Sequence, residues 1–376
     1  MNLAILFGGK SSEHEVSLVS ASSVARNLDP AKYKIIPIGI AKNGKWYLQS
    51  DDELKRVQGD SSAAFKIDED PAKLVNIIPG GKKDALSVGG KSLQVDAVFG
   101  VVHGTFCEDG VMQGLLEAAE LPYVGCGVMA SGITMDKEKT KVIWKSNGLP
   151  VVPYYCFTRA DINDNKRYDA LVEKAIADFG FPLFVKPCNA GSSVGASKAS
   201  NAREFSMALG EAFMWDNKVL VEKAINAREV ECSVTGNAII QNPENAFSAV
   251  KAYTPGEILP THEFYDYDAK YKDPDGAALK IPADIDETTT KIIKELAVKA
   301  YSVLDCSGLS RVDFFIDKDS GAIYINEINT IPGFTSISMF PKMCEAAGLG
   351  YKDLINLLIE EALERFEAGK KLLTSR

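Results

Sequence analysis

Apolar residues fall along this chain in two periodicities. Mainly apolar runs at 3–7, 35–40 and 95–102 read as buried strands, while spacings of three and four over 16–28 and 110–121 predict helices between them. This alternation predicts a small open α/β unit over residues 1–125, with ligand loops at the strand ends. A second unit, 126–218, is expected to hold a helix over 136–146, a strand over 151–157, a helix over 168–179, and a strand over 182–186 that runs into a Gly/Ser loop. The third, 219–376, shows strands near 219–222 and 229–235, a long polar loop over 253–280, a helix over 287–305, a hairpin, and a closing amphipathic helix over 354–373. No internal repeat is present.

The hairpin carries the most informative chemistry. In Ser310-Arg311-Val312-Asp313-Phe314-Phe315 and Ile325-Asn326-Glu327-Ile328-Asn329, polar and apolar positions alternate, so Glu327 and Asn329 share one strand face. Asp313, Glu327 and Asn329 form a hard-oxygen set suited to Mg²⁺, an ion that keeps waters and shares itself with nucleotide phosphates. A solvated polar strand face is the alternative, and Arg311 beside the set weighs against it.

Phe184-Val185-Lys186-Pro187 ends a buried strand in Lys186, and Gly191-Ser192-Ser193-Val194-Gly195 follows. Backbone N–H groups of such a loop can cradle phosphate. It is not a Walker A motif, and alone it also fits an ordinary loop. Lys137 and Lys186 supply point charges for phosphates, and the apolar turn Ala224-Ile225 between Glu222 and Glu229 suits a ribose and an adenine edge. At the N-terminus, Gly8-Gly9-Lys10-Ser11-Ser12-Glu13-His14-Glu15-Val16-Ser17 places acids at a helix start. Glu13 or Glu15 there either complements the helix macrodipole or, in the case of Glu15, recognises a substrate ammonium. His103 ends a predicted strand, where α/β sheets place ligands.

Composition narrows the class. A 376-residue chain has room for two or three domains, and 46% hydrophobic with 25% charged residues is ordinary for a soluble globular protein. A net charge of -9 leaves no broad basic surface, so nucleic acid is not an expected partner. Seven scattered cysteines without CxxC spacing argue for reduced thiols in a cytoplasm and against a zinc site or disulfide framework. No run reaches membrane length, so no membrane partner is expected.

The motifs GGxSxExEVS, HGxxxEDG, TMDK, FVKPxxxGSSVG, EFYDYxAKY, SRVDFF and NEINTxPGFTS occur in this order. Together they resemble the D-Ala-D-X ligases of the ATP-grasp superfamily from Leu3 to about Gly348. The resemblance implies a mixed α/β, three-domain ATP-grasp fold with a Rossmann-like pre-ATP-grasp domain at the N-terminus. It implies ATP contacts from Lys137, Lys186, Glu222, Lys223, Ala224, Ile225, Glu229, Lys270, Phe315 and Asn326, with Ser192 and Ser193 in the loop that closes over the phosphates. Asp313, Glu327 and Asn329 would hold two Mg²⁺ or Mn²⁺ ions. Glu15 would bind the ammonium of a first D-alanine near His103, with Ser192 and Tyr271 linked to it. Arg311 and the Gly333 N–H would form an oxyanion site worth ~3 kcal/mol per donor, and Ser338 with Arg311 would hold the second substrate's carboxylate. The implied activity is ATP-dependent synthesis of D-alanyl-D-alanine through an acyl phosphate, for peptidoglycan precursors, by a cytoplasmic homodimer.

Lys270-Tyr271 and the apolar Met339 favour D-alanine as second substrate; D-lactate or D-serine, as in vancomycin resistance, is the alternative. One departure stands out: Cys107 occupies a position where the family has Gly, which puts the His103 loop in question. Two other classes stay open: an ATP-grasp enzyme of different chemistry, against which the Glu15 and Lys270-Tyr271 motifs speak, and a catalytically silent nucleotide-binding protein, against which the retained Arg311 and metal ligands speak.

Overall fold

The computed structural model describes residues 1–240, 249–260, 277–335 and 337–373. The first apolar run becomes β1 (Asn2–Gly8), followed by α1 (His14–Asn27), β2 (Lys34–Ile40), β3 (Trp46–Leu48) and α2 (Asp51–Gly59). A small antiparallel sheet of β4 (Val75–Ile77), β5 (Leu86–Val88) and β6 (Lys91–Ser92) precedes β7 (Ala97–Gly100) and α3 (Val111–Ala118). β1 pairs in parallel with both β2 and β7, giving the order β3-β2-β1-β7. Six of the seven β1 residues are buried, because both faces are covered. The C-terminal ends of β1 and β7 therefore lie side by side, and from them run the Gly8-Gly9 turn and the His103 loop.

The middle of the chain contains α4 (Val128–Met135), α5 (Lys137–Ser146), β8 (Tyr154–Thr158), α6 (Arg159–Ile162), α7 (Asn165–Phe179), β9 (Leu183–Pro187), β10 (Ser197–Ala199), α8 (Ala202–Trp215) and β11 (Lys218–Lys223). Its sheet is antiparallel, in the order β10-β9-β11-β8. β8 starts at Tyr154 rather than at the predicted 151, because Pro153 has no N–H for the ladder; Val151 instead makes an isolated bridge to Ile325. Phe157, Val185, Val219 and Val221 pack beneath Phe205, Leu209 and Phe213 of α8. Asp136, expected inside a helix, is the N-cap of α5 and accepts from the Glu138 and Lys139 N–H groups.

The third sheet is built on β12 (Ala227–Asn237), with β13 (Lys251–Ala252) beside it. β14 (Gly256–Pro260), β15 (Ala277–Lys280), β16 (Ser307–Asp317) and β17 (Ile323–Asn329) complete the order β15-β14-β12-β16-β17. The two ends of the predicted polar loop are thus strands. α9 (Glu287–Ser302) packs on one face of this sheet through Ile293, Ala297, Ala300 and Tyr301. After β17 come α10 (Met339–Ala346) and α11 (Tyr351–Lys370). Leu354, Ile355, Leu358, Ile359 and Ala362 of α11 join one core with Leu3, Ile5 and Phe7 of β1. Arg365 of α11 donates to the Gly125 carbonyl at 2.6 Å, to the Tyr123 carbonyl at 3.1 Å and to Ser307 Oγ at 2.8 Å. The chain's last helix is therefore stitched to its first sheet.

Candidate active site

A cleft of 1110 Å³ opens between the three sheets. β16 and β17 form its floor. Their register pairs Arg311 with Asn329 and Asp313 with Glu327, then shifts so that Phe314 pairs with Ile325. Asn326 is the extra residue of this bulge, which lets Asn326, Glu327 and Asn329 all line the cleft where strict alternation would turn one away. Arg311 grips both Asp313 oxygens at 2.7 Å and lies 3.1 Å from Glu231. Burial lowers the guanidinium's pKa, but the charges of Asp313 and Glu231 outweigh it and hold it well above the ordinary value.

Two carboxylates and one amide suit a hard divalent ion, and among the described residues no cluster of three His, Cys, Asp or Glu side chains offers a competing site.

One wall is a buried ion cluster on β9, β11 and α5. Glu222 lies 2.7 Å from Lys186 and 2.8 Å from Lys141, and Lys186 donates to Asn326 Oδ1 at 3.1 Å. Burial opposes the carboxylate charge, yet the two ammonium groups hold Glu222 below the usual carboxylate range. Lys141 is 0% exposed and was not anticipated from the sequence. It sits one helical turn after Lys137, so the i, i+4 spacing in Lys137-Glu138-Lys139-Thr140-Lys141 carried the missing signal. Lys137 Nζ donates to the Ala190 carbonyl at 2.7 Å and lies 3.8 Å from Glu327. Lys223, Ala224, Ile225, Glu229 and Phe315 complete this end of the cleft.

Ser192 and Ser193, with φ of 51° and 58°, take left-handed backbone in the loop above it.

At the other end the structure separates the two acids at the start of α1. Glu15, inside α1, points away from the cleft; its side chain is 72% exposed and pairs with Lys42 at 2.9 Å. Glu13, the N-cap residue of α1, lines the cleft instead and is 9% exposed. Two helix positions separate them by about 200° of rotation, so only one can face the cleft. A Cβ on Gly104 would stand 3.0 Å from Glu13 Oε2 and one on Gly191 3.3 Å, so this carboxylate fills a slot between the His103 loop and the Gly/Ser loop that only glycines leave open.

His103 Nδ1 lies 2.8 Å from the Ile331 carbonyl and must donate to it. Burial lowers the imidazole's pKa, against the opposing charge of Glu13, and so favours the uncharged ring. Glu108 accepts from the Gly104 N–H at 2.9 Å. Cys107 is not among the left-handed residues; Phe106 is, at φ 67°. The loop thus takes up the missing glycine one residue earlier, with Cys107 buried against Gly9.

Gly333 and Ser338 line the cleft between these ends, with Ser338 Oγ accepting from the Thr335 N–H at 3.0 Å. Met339 packs with Ile258 and Met343. Lys270 and Tyr271 lie outside the described residues.

Two family models tile the chain: D-ala D-ala ligase N-terminus over residues 2–126 and D-ala D-ala ligase C-terminus over 143–360. The chain is 57% identical to the D-alanine--D-alanine ligase of Treponema denticola over the whole of both chains. To that of Acetivibrio thermocellus it is 45% identical, over 98% of this chain and 97% of the relative. Among solved structures, the D-alanine-D-alanine ligase from Coxiella burnetii superposes with a TM-score of 0.82 at 35% identity, covering 99% of this chain and 96% of that one. The VanG D-Ala:D-Ser ligase from Enterococcus faecalis gives 0.81 at 36%, covering 96% and 99%. Likeness that holds over both halves and in the folded backbone makes this chain a member of the D-alanine–D-alanine ligase family, with an ATP-grasp fold.

Proposed function

We propose that this chain joins two D-alanines into D-alanyl-D-alanine, with ATP as the activating substrate, for peptidoglycan precursor synthesis. The observation that carries this reading is the continuity of one cleft, which runs from the Lys137 and Lys186 end past Arg311 to the Glu13 slot. ATP lies along the lysine end, with its adenine against Ala224 and Ile225. Glu13 takes the ammonium of the first D-alanine. The carboxylate oxygen of this D-alanine attacks the γ-phosphorus, ADP leaves, and D-alanyl phosphate forms. The amine of the second D-alanine attacks that carbonyl to form the N–C bond, the C–O bond breaks with its electron pair leaving on phosphate, and the departing phosphate takes up the amine's proton.

Arg311 and the Gly333 N–H stabilise the oxyanion, and Ser338 with Arg311 holds the second carboxylate. Asp313, Glu327 and Asn329 would hold two Mg²⁺ or Mn²⁺ ions, which when bound neutralise phosphate charge. Closure of the Gly/Ser loop keeps water from the acyl phosphate.

The division at 1–125, 126–218 and 219–376 is supported by the separation of the three main sheets. Val111, Leu115, Val128 and Met129 leave exposed apolar surface on α3 and α4, which supports a homodimer. Free cysteines throughout, and the lack of any described helix long and apolar enough to cross a membrane, support a cytoplasmic setting.

A second reading rests on the likeness to the D-Ala:D-Ser ligase. The apolar packing of Met339 against Ile258 and Met343 favours a methyl side chain over a hydroxymethyl. The deciding experiment is Mg²⁺- and ATP-dependent phosphate release with D-alanine alone, with D-serine added and with D-lactate added, the products identified by mass. Stoichiometric D-alanyl-D-alanine is expected. A mixed dipeptide or depsipeptide would reassign the second substrate, and no turnover with any D-amino acid would end the reading.

A further inference from the structure

The Gly/Ser loop over the phosphate end is tied at both roots to one corner of the molecule, the end of α8. At the entering root, Asp216 Oδ2 accepts from the Asn189 N–H at 2.7 Å and from Asn189 Nδ2 at 2.9 Å. At the leaving root, Gly195 has φ 69°, and a Cβ there would come 2.5 Å from Trp215 Cδ1 and 3.0 Å from Pro187 Cγ. The Trp215 indole thus lies flush against the loop's last glycine and the end of β9.

Exposure sets this indole apart from the other two tryptophans. Trp215 is 58% exposed, whereas Trp46 and Trp144 are 7% and 0%. A large, solvated aromatic in contact with loop backbone adds little to a core, yet it limits where that backbone can go. Lys137 reaches the same loop from the cleft side: its Nζ donates to the Ala190 carbonyl, and its N–H donates to the Cys188 carbonyl at 3.1 Å. A phosphate drawing Lys137 Nζ away from Ala190 would free the start of the loop, next to its entering root, while Trp215 and Asp216 keep both roots in place.

We propose that Trp215 and Asp216 form the mount on which the loop containing Gly191 to Gly195 closes over the nucleotide. Both are positioning residues that set the closed pose without touching the reacting atoms. The inference rests on the proposed reading of this loop as a phosphate lid.

Trp215 should report the closure itself. Titration with MgADP, with saturation verified by calorimetry, is expected to shift the tryptophan emission of the wild-type protein, and Trp215→Phe should abolish the shift while keeping turnover. Trp215→Ala and Asp216→Ala should raise KM for ATP roughly tenfold, lower kcat less, and raise phosphate released per dipeptide above one. Trp215→Phe, which keeps an aromatic against Gly195, should restore the ratio. Gly195→Ala should impair the enzyme more strongly with Trp215 present than with Trp215→Ala, because only the φ strain then remains.

The mount is overturned if MgADP saturates the protein without altering Trp215 emission. It is equally overturned if both alanine variants keep a phosphate-to-dipeptide ratio of one and differ from wild type only in melting temperature. Absence of MgADP binding to the wild type would instead bring down the nucleotide reading beneath it, and with it this inference.

Discussion

Two glutamates of nearly equal burial behave in opposite ways. Glu222, in the cleft wall, and Glu361, on the buried side of α11, are 2% and 3% exposed. Glu222 lies between Lys141 and Lys186 and is held below the usual carboxylate range; burial pushes Glu361 well above it. Solvent removal is the same in both places, so the difference comes from the counter-charges. An ion stays ionised inside a protein where partners are built around it, and it takes up a proton where they are not. Here the built-up charge lines the cleft itself, which makes retained charge a better marker of a candidate site than polarity alone.

The largest effect is expected at Arg311, where charge is retained against the greatest crowding. Arg311→Met should lower kcat about 10³-fold and leave Asp313 and Glu231 in mutual repulsion, as steady-state kinetics and melting would show. Activity within a few-fold of wild type would mean that the cluster is structural.

Next comes Lys141→Met, which moves Glu222 toward the situation of Glu361. It should cost roughly 3 kcal/mol of stability. It should also raise KM for ATP, because Lys186 is then drawn wholly onto Glu222. Denaturant unfolding with unchanged midpoint would dissolve the comparison.

A smaller contrast separates neighbours at the start of α1. Glu13→Gln should raise KM for D-alanine about tenfold, and Glu15→Gln should change nothing beyond about 0.5 kcal/mol. The reverse ranking would restore Glu15 to the site.

Glu361→Gln tests the other side of the comparison. The raised folded pKa means that Glu361 contributes stability below its unfolded value near 4.5, and that this contribution is lost as pH rises. Wild type should therefore lose up to about 1.4 kcal/mol per pH unit relative to Glu361→Gln above that value, until the folded carboxyl titrates. Parallel stability curves from pH 5 to 8 would refute the assignment.

The floor of the cleft was legible because period-two alternation in Arg311, Asp313, Glu327 and Asn329 is a local property of the strands. The bulge that adds Asn326 arises from cross-strand register, to which one strand's sequence is blind. Glu13 and Glu15 are equally acidic and equally near a helix start, so residue type could not choose between them; the helix rotation chose. Lys141 was hidden for the opposite reason. A lysine on an amphipathic helix ordinarily faces water, and here Glu222, eighty-one residues away, supplies what makes its burial tolerable. The boundaries of the three sheets followed the apolar runs closely, except where Pro153 and the ends of the 253–280 segment altered the hydrogen-bonding pattern.

The stitching of α11 to β1 bears on how the molecule is made. A ribosome releases β1 first and α11 more than three hundred residues later, so the first sheet emerges with one apolar face only partly covered. That face must wait, shielded only by α1, Val57 and Phe65 or by a chaperone, until synthesis is nearly complete. Nascent chains stalled before residue 351 should thus be the aggregation-prone species, and Arg365 closing on Gly125 and Tyr123 would be among the last contacts made.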